Sequence, residues 1–150
     1  MAKKQAIMQA ALELFAEQGI EATTVQQITE RSGISKGAFY LSFKSKEELI
    51  LGIIEQVFGE IASEIDQAVT ETSDDSRLLY RYFYASFQSF RKHRHFAMML
   101  MKEPAATFHP QLIERLRLYD RFWDQITDTV VRRQFPRAKE ALYPDLIMLV

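Results

Sequence analysis

TTVQQITERSGISKGAFYLSFKSKEEL, Thr23 to Leu49, decides the fold of this chain. Thr24 followed by Gln27 has the spacing of a capping box: the hydroxyl accepts from the amide at the third helical position, and Gln27 reaches back to the cap. A helix therefore begins there. Val25 and Ile28 give it a buried face, and Gly33 supplies the left-handed conformation that ends a helix with least strain. A second helix follows at once, with Ser35 as N-cap and Ile34 and Phe39 at the spacing of a hydrophobic staple. Two helices joined by a short Gly turn form a helix-turn-helix. The second helix of such a unit is the one that enters a DNA major groove.

The polar residues around that second helix point the same way. Ser35, Lys36 and Gly37 leave the first amides uncovered while Lys36 points outward, an anion-receptive end. Ala38 stands where a capping box would carry Glu or Gln, so no carboxylate occupies the space a phosphate needs. Tyr40 follows, and Lys44 and Lys46 flank Ser45, which with Glu48 caps a third helix. The plain structural alternative is a helical hairpin with a solvated Lys at a helix start.

The succession Thr, apolar, Ile, Gly, apolar, Ser, Gly, Tyr, Phe, Lys, Leu over this stretch resembles the TetR (tetracycline-repressor) family of bacterial transcriptional regulators. The match covers the first third of the chain and weakens beyond Leu49. Thr29 and Ser32 stand where members usually carry Ala, and Ser42 where His or Tyr is common. The resemblance implies an all-α protein: a three-helix, homeodomain-like helix-turn-helix domain at 1–48, then a helical effector-binding and dimerisation domain at 49–150. It implies that Lys36, Gly37 and their neighbours Ala38 and Phe39 face bases. By the same resemblance, Thr24, Ser35, Tyr40 and Lys46 hold phosphates, with Lys44 in the DNA-binding set.

Composition is compatible with this without suggesting it. The 150 residues, 47% of them hydrophobic, suffice for a core. A net charge of -1 gives no general attraction to nucleic acid, so any basic footprint is local, around Arg31, Lys36, Lys44 and Lys46. Cys is absent, which excludes disulfides and thiolate metal sites and fits a cytoplasmic protein. Lys3 and Lys4 precede an apolar run, but Ile7, Ala11, Leu14 and Phe15 fall at amphipathic spacing, Glu13 and Glu17 interrupt it, and Gly19 ends it. This is a domain helix, not a signal peptide. No stretch is long enough to span a bilayer, so no membrane is expected.

From Ser45 the apolar period runs through Leu49, Ile50, Ile53, Ile54, Val57, Phe58, Ile61 and Ile65, predicting a helix to about Val69, roughly 35 Å long. Residues 70–76, TETSDDS, are a loop. In 77–91 the residues Leu79, Tyr82, Phe83, Ser86, Phe87 and Phe90 share a face, with Tyr80 and Tyr84 elsewhere, which predicts a central, buried helix. A shorter helix with Phe96, Met98, Met99, Leu100 and Met101 stops before Pro104. Pro110 starts another, with Leu112, Leu116, Tyr119, Trp123, Ile126 and Val130 in period. These aromatic and Met side chains either fill a helical core or line an adaptable apolar pocket. The candidate lining is Phe58, Tyr82, Phe83, Phe87, Phe90, Met98, Met101, Phe122, Trp123 and Ile126.

His93 and His95 lie two apart, on different helix faces, and His109 is in a loop, so no zinc site is expected. No nucleophile, phosphate-loop or metal motif supports catalysis, and no cofactor is expected. The segment LYPDLIMLV starts a helix at Pro144 and halts inside an apolar run, which reads as an interrupted domain. Through the resemblance, the expected function is a ligand-responsive repressor that binds a palindromic, inverted-repeat operator in double-stranded DNA as a homodimer, and is released by a small, largely apolar effector. The alternative is an effector-independent, architectural DNA-binding protein.

Overall fold

The computed structural model describes residues 2–102 and 124–135; the expectations for Pro104, His109, Pro110, Leu112, Leu116, Tyr119, Phe122, Trp123 and the segment around Pro144 fall outside these. The described elements are helical: α1 (Ala2–Gln18), α2 (Val25–Ser32), α3 (Lys36–Ser42), α4 (Lys46–Thr70), a 3-10 turn at Asp75–Arg77, α5 (Leu78–Lys92) and α6 (Arg94–Lys102), with residues 124–134 helical as well. Among the described residues no helix is long and apolar enough to cross a membrane. The described chain falls into two compact units, residues 2–57 with 93–102, and residues 58–92 with 124–135.

In the first unit α1 packs against α2, α3 and α6. Its amphipathic spacing places Ile7, Ala11, Leu14 and Phe15 in the core, where Ile28, Phe39, Phe43, Leu49 and Ile53 join them. Gly19 ends α1 at φ 89°, its amide donating to Phe15 O at 2.9 Å. A left-handed residue there lets the chain reverse at low cost. The following loop is closed by side chains: Gln18 Nε2 donates to Ala22 O (3.1 Å) and to Thr23 Oγ1 (3.2 Å), and Thr23 Oγ1 donates to Gly19 O (2.7 Å). From α6, Phe96 and Met99 are buried, and Lys102 Nζ donates to Glu17 O at 2.8 Å.

The second unit buries Ile61, Ala62, Ile65 and Val69 of α4, Leu78 and Tyr82 of α5, and Ile126, Val130 and Val131. Polar ties hold its corners. Arg133 pairs with Asp75 and donates to Val69 O and Thr72 O, closing the turn after α4. Asp74 caps that turn by accepting from the Ser76 hydroxyl (2.6 Å) and the Ser76 amide (2.9 Å), and these bonds hold its carboxyl below the usual range.

Helix α5 corrects the sequence reading. It is not buried all round: Leu78, Tyr82 and Ser89 are the buried positions, while Tyr80, Phe83, Tyr84, Phe87 and Phe90 are exposed. The inward face is rotated by about one residue step, roughly 100°. A polar pairing fixes that phase: Ser89 donates to the Glu64 carboxylate, which also pairs with Lys92. Hydropathy ranks Ser89 as a surface position, so the periodicity of the apolar residues does not reveal this pairing.

Candidate nucleic-acid interface

The caps and the glycine turn that shape the helix-turn-helix are in place. Thr24 accepts from the Gln27 amide at 3.2 Å while Gln27 Oε1 accepts from the Thr24 amide at 2.8 Å, a complete capping box. Gly33 ends α2 at φ 66°, ψ 20°, and the Ile34 amide bonds back to Thr29 O at 3.1 Å. Ser35 caps α3 by accepting from the Ala38 amide at 3.3 Å. After Ser42 the chain turns extended at the buried Phe43. Ser45 then accepts from the Glu48 amide (3.2 Å), and Glu48 accepts from the Lys44 amide (2.6 Å), starting α4.

These constraints give α3 two faces. Phe39 is fully buried, its ring 6.0 Å from that of Phe43, with Ala38 and Ser42 half-covered beside it. Lys36, Gly37, Tyr40 and Leu41 are exposed and fall within about 140° of arc at the helical step of roughly 100° per residue. Tyr40 stands edge-on against Phe39, centroids 5.3 Å apart, which steadies the ring while 48% of the residue remains accessible. A Cβ added at Gly37 would meet nothing within 4 Å, so its lack of a side chain opens the middle of this face.

The predicted contact residues therefore separate. Lys36, Gly37 and Tyr40 share the outward face of α3, and Lys44 is exposed just beyond it. Phe39 belongs to the core and supports the helix from within, because it lies opposite that face. Thr24 and Ser35 are exposed caps whose hydroxyls serve the backbone. Lys46 Nζ donates to Ile20 O (2.9 Å) and Thr23 O (3.0 Å), tying the start of α4 to the loop after α1.

The local charge differs from the predicted footprint in two places. Arg31 is paired with Glu17 by a two-pronged bond (3.1 and 3.0 Å) and lies 3.6 Å from Glu13. Its guanidinium holds the Glu17 carboxyl below the usual glutamate range. Lys4 of α1, in turn, sits with Nζ 5.2 Å from the centroid of the Phe43 ring, bringing a cation to the end of α3. No local motif could reveal a contact spanning so much sequence. The hydroxyls of Thr29, Ser32 and Ser42 are all taken up by carbonyls of their own helices, Gln26 O, Thr29 O and Ala38 O.

Of the candidate pocket residues, Tyr82 and Ile126 are buried, Phe58 is half-buried, and Phe83, Phe87, Phe90, Met98 and Met101 are exposed. Met98 and Met101 belong to the first unit and the others to the second; Phe122 and Trp123 lie outside the described residues. Among the described residues no group of three or more His, Cys, Asp or Glu side chains could hold a metal ion.

Residues 7–53 match the family of bacterial regulatory proteins, tetR family. An HTH-type transcriptional regulator of Bacillus subtilis, YerO, itself uncharacterized, is 38% identical over 103 residues, 67% of this chain and 36% of that protein. The HTH-type transcriptional repressor KstR2 of Mycolicibacterium smegmatis is 28% identical over 69% of this chain and 50% of its own length. The chain thus spans between a third and a half of these curated relatives. A transcriptional regulator (TerR/AcrR family) from Aquifex aeolicus superposes with a TM-score of 0.73 at 26% identity, covering 98% of this chain and 79% of that one. The resemblance carried by Thr23 to Leu49 is thereby established, and with it the all-α fold with a TetR-type helix-turn-helix at its N-terminus.

Proposed function

We propose that this chain, similar to the TetR family over residues 7–53, is a DNA-binding transcriptional regulator that inserts α3 into the major groove. The outward face of α3 carries the proposal: Lys36, Gly37 and Tyr40 are exposed together, Lys44 follows, and the core residues Phe39 and Phe43 hold the helix from behind. Lys36 and Gly37 face bases, and Tyr40 and Lys44 reach phosphates. A single seven-residue helix covers few base pairs, so specificity needs a second copy on an inverted repeat. The division of labour is a DNA-reading domain over 1–48 and an effector-binding, dimer-forming region over 49–150, working in the cytoplasm as a repressor.

The effector is a small, largely apolar molecule held by the aromatic residues of the second unit, including Tyr82 and Phe83. The apolar surface that Phe83, Phe87 and Phe90 leave uncovered supports this reading. Release follows if the effector binds better to a state in which the two reading helices no longer match successive grooves, and its extent is limited by that preference. Selection of duplex DNA from a random pool with the purified protein tests the reading. A recovered palindrome bound with steep salt dependence is expected. Lys36→Ala and Tyr40→Phe should then weaken binding with the helical content intact; unchanged affinity in both would refute the assignment of α3.

A further inference from the structure

The side chain with no structural task on α3 is Leu41, 91% exposed. Within this short helix the apolar residues otherwise turn inward: Phe39 is fully buried and Ala38 half-covered. Leu41 follows Gly37 by four residues, one helical turn, so the two share a stripe alongside that of Lys36 and Tyr40. Among the described residues Lys36 and Lys44, both exposed, have no carboxylate partner, so a polyanion fits this surface better than an acidic-poor protein face would. A solitary exposed leucine is ordinary on a protein surface. Here it stands at the edge of the outward face of α3 that the proposed function uses, next to the Gly37 gap.

We propose that Leu41 is a specificity-determining residue that reads the 5-methyl group of a thymine in the major groove. The inference rests on α3 being the reading helix. Major-groove edges offer one apolar feature, the thymine methyl, and the side chains that recognise it are apolar. Gly37, with open space where a Cβ would stand, lets the backbone approach the bases, which brings Leu41 to methyl depth without a long polar arm. Lys36 supplies hydrogen bonds on the adjacent stripe. Leu41 makes none and discriminates by burial: a thymine methyl against the leucine is stabilised, and an exposed cytosine amino group at the same position is desolvated without a partner.

The test uses the full chain and a duplex recovered by selection, with each thymine replaced in turn by deoxyuridine, which removes only the methyl. At least one replacement per half-site is expected to weaken binding about four-fold, the equivalent of burying one methyl-sized group. Leu41→Ala should bind the thymine duplex more weakly and lose all sensitivity at that position, while Lys36→Ala should bind more weakly yet keep it. Deoxyuridine sensitivity retained in Leu41→Ala, or absent from the wild type, would overturn the role of Leu41 while leaving DNA binding standing. Failure to recover any preferred duplex would remove the reading-helix assignment itself, and this proposal with it.

Discussion

Replacing Lys46 by Met keeps the length of the side chain and removes only its charge and donors. Its ammonium spans Ile20 O and Thr23 O at 2.9 and 3.0 Å, and both of those residues are themselves buried. A hydrogen bond from a charged group contributes about 1.5–3 kcal/mol, and a buried carbonyl left without a donor costs about 1–3 kcal/mol. Lys46 is half-exposed, so water recovers part of both terms; the expected loss is about 2 kcal/mol. Urea unfolding followed by far-UV circular dichroism measures it, and hydrogen exchange should show faster opening in residues 19–28. Binding to a selected duplex should weaken at all salt concentrations with little change in slope, whereas loss of a phosphate contact lowers the slope of log K against log salt by about 0.9. A stability change under about 0.5 kcal/mol together with a reduced slope would refute the argument and return Lys46 to the phosphates.

Gly33→Ala should destabilise by about 1–2 kcal/mol, because φ 66° is left-handed and a Cβ there is strained even though space is open around it; a thermal melt indistinguishable from wild type would contradict this. Thr24→Ala removes one arm of the capping box and should cost about 1 kcal/mol in the same assay, with Thr24→Ser restoring most of it. Glu17 is held below its ordinary pKa by Arg31, so its stabilising contribution is full above the ordinary glutamate range and disappears as the pH falls through its lowered value. The melting-temperature gap between wild type and Glu17→Gln should accordingly be present at pH 7 and close in acid; a gap independent of pH would exclude the ion pair as its cause.

The features legible in the sequence are those whose partners lie within a few residues. Thr24 and Gln27, Gly33, and Ser35 with the amide of Ala38 are each complete within one turn, so spacing alone identifies them. The run of Leu49, Ile53, Val57, Ile61 and Ile65 is periodic enough to give α4 nearly its full extent. What could not be read depends on distant partners. The phase of α5 follows from Ser89 meeting Glu64, a polar pair on the inward face that hydropathy assigns to the surface. Arg31 and Lys46 look like free cations until Glu17 and the Ile20 and Thr23 carbonyls are folded against them. Lys4 gains its place only through α1 packing.

The seam between α1 and α6 bears on how the protein is made. Lys102 grips the Glu17 carbonyl, and Phe96 and Met99 are buried in the same unit as Phe15 and Phe39. The helices of the helix-turn-helix are all synthesised by residue 57, yet the unit that contains them closes only when residues 93–102 arrive. Those last 45 residues, from Val57 to Lys102, take about 2–9 s at roughly 5–20 residues per second. During that interval the face of α1 that α6 later covers stays open to solvent.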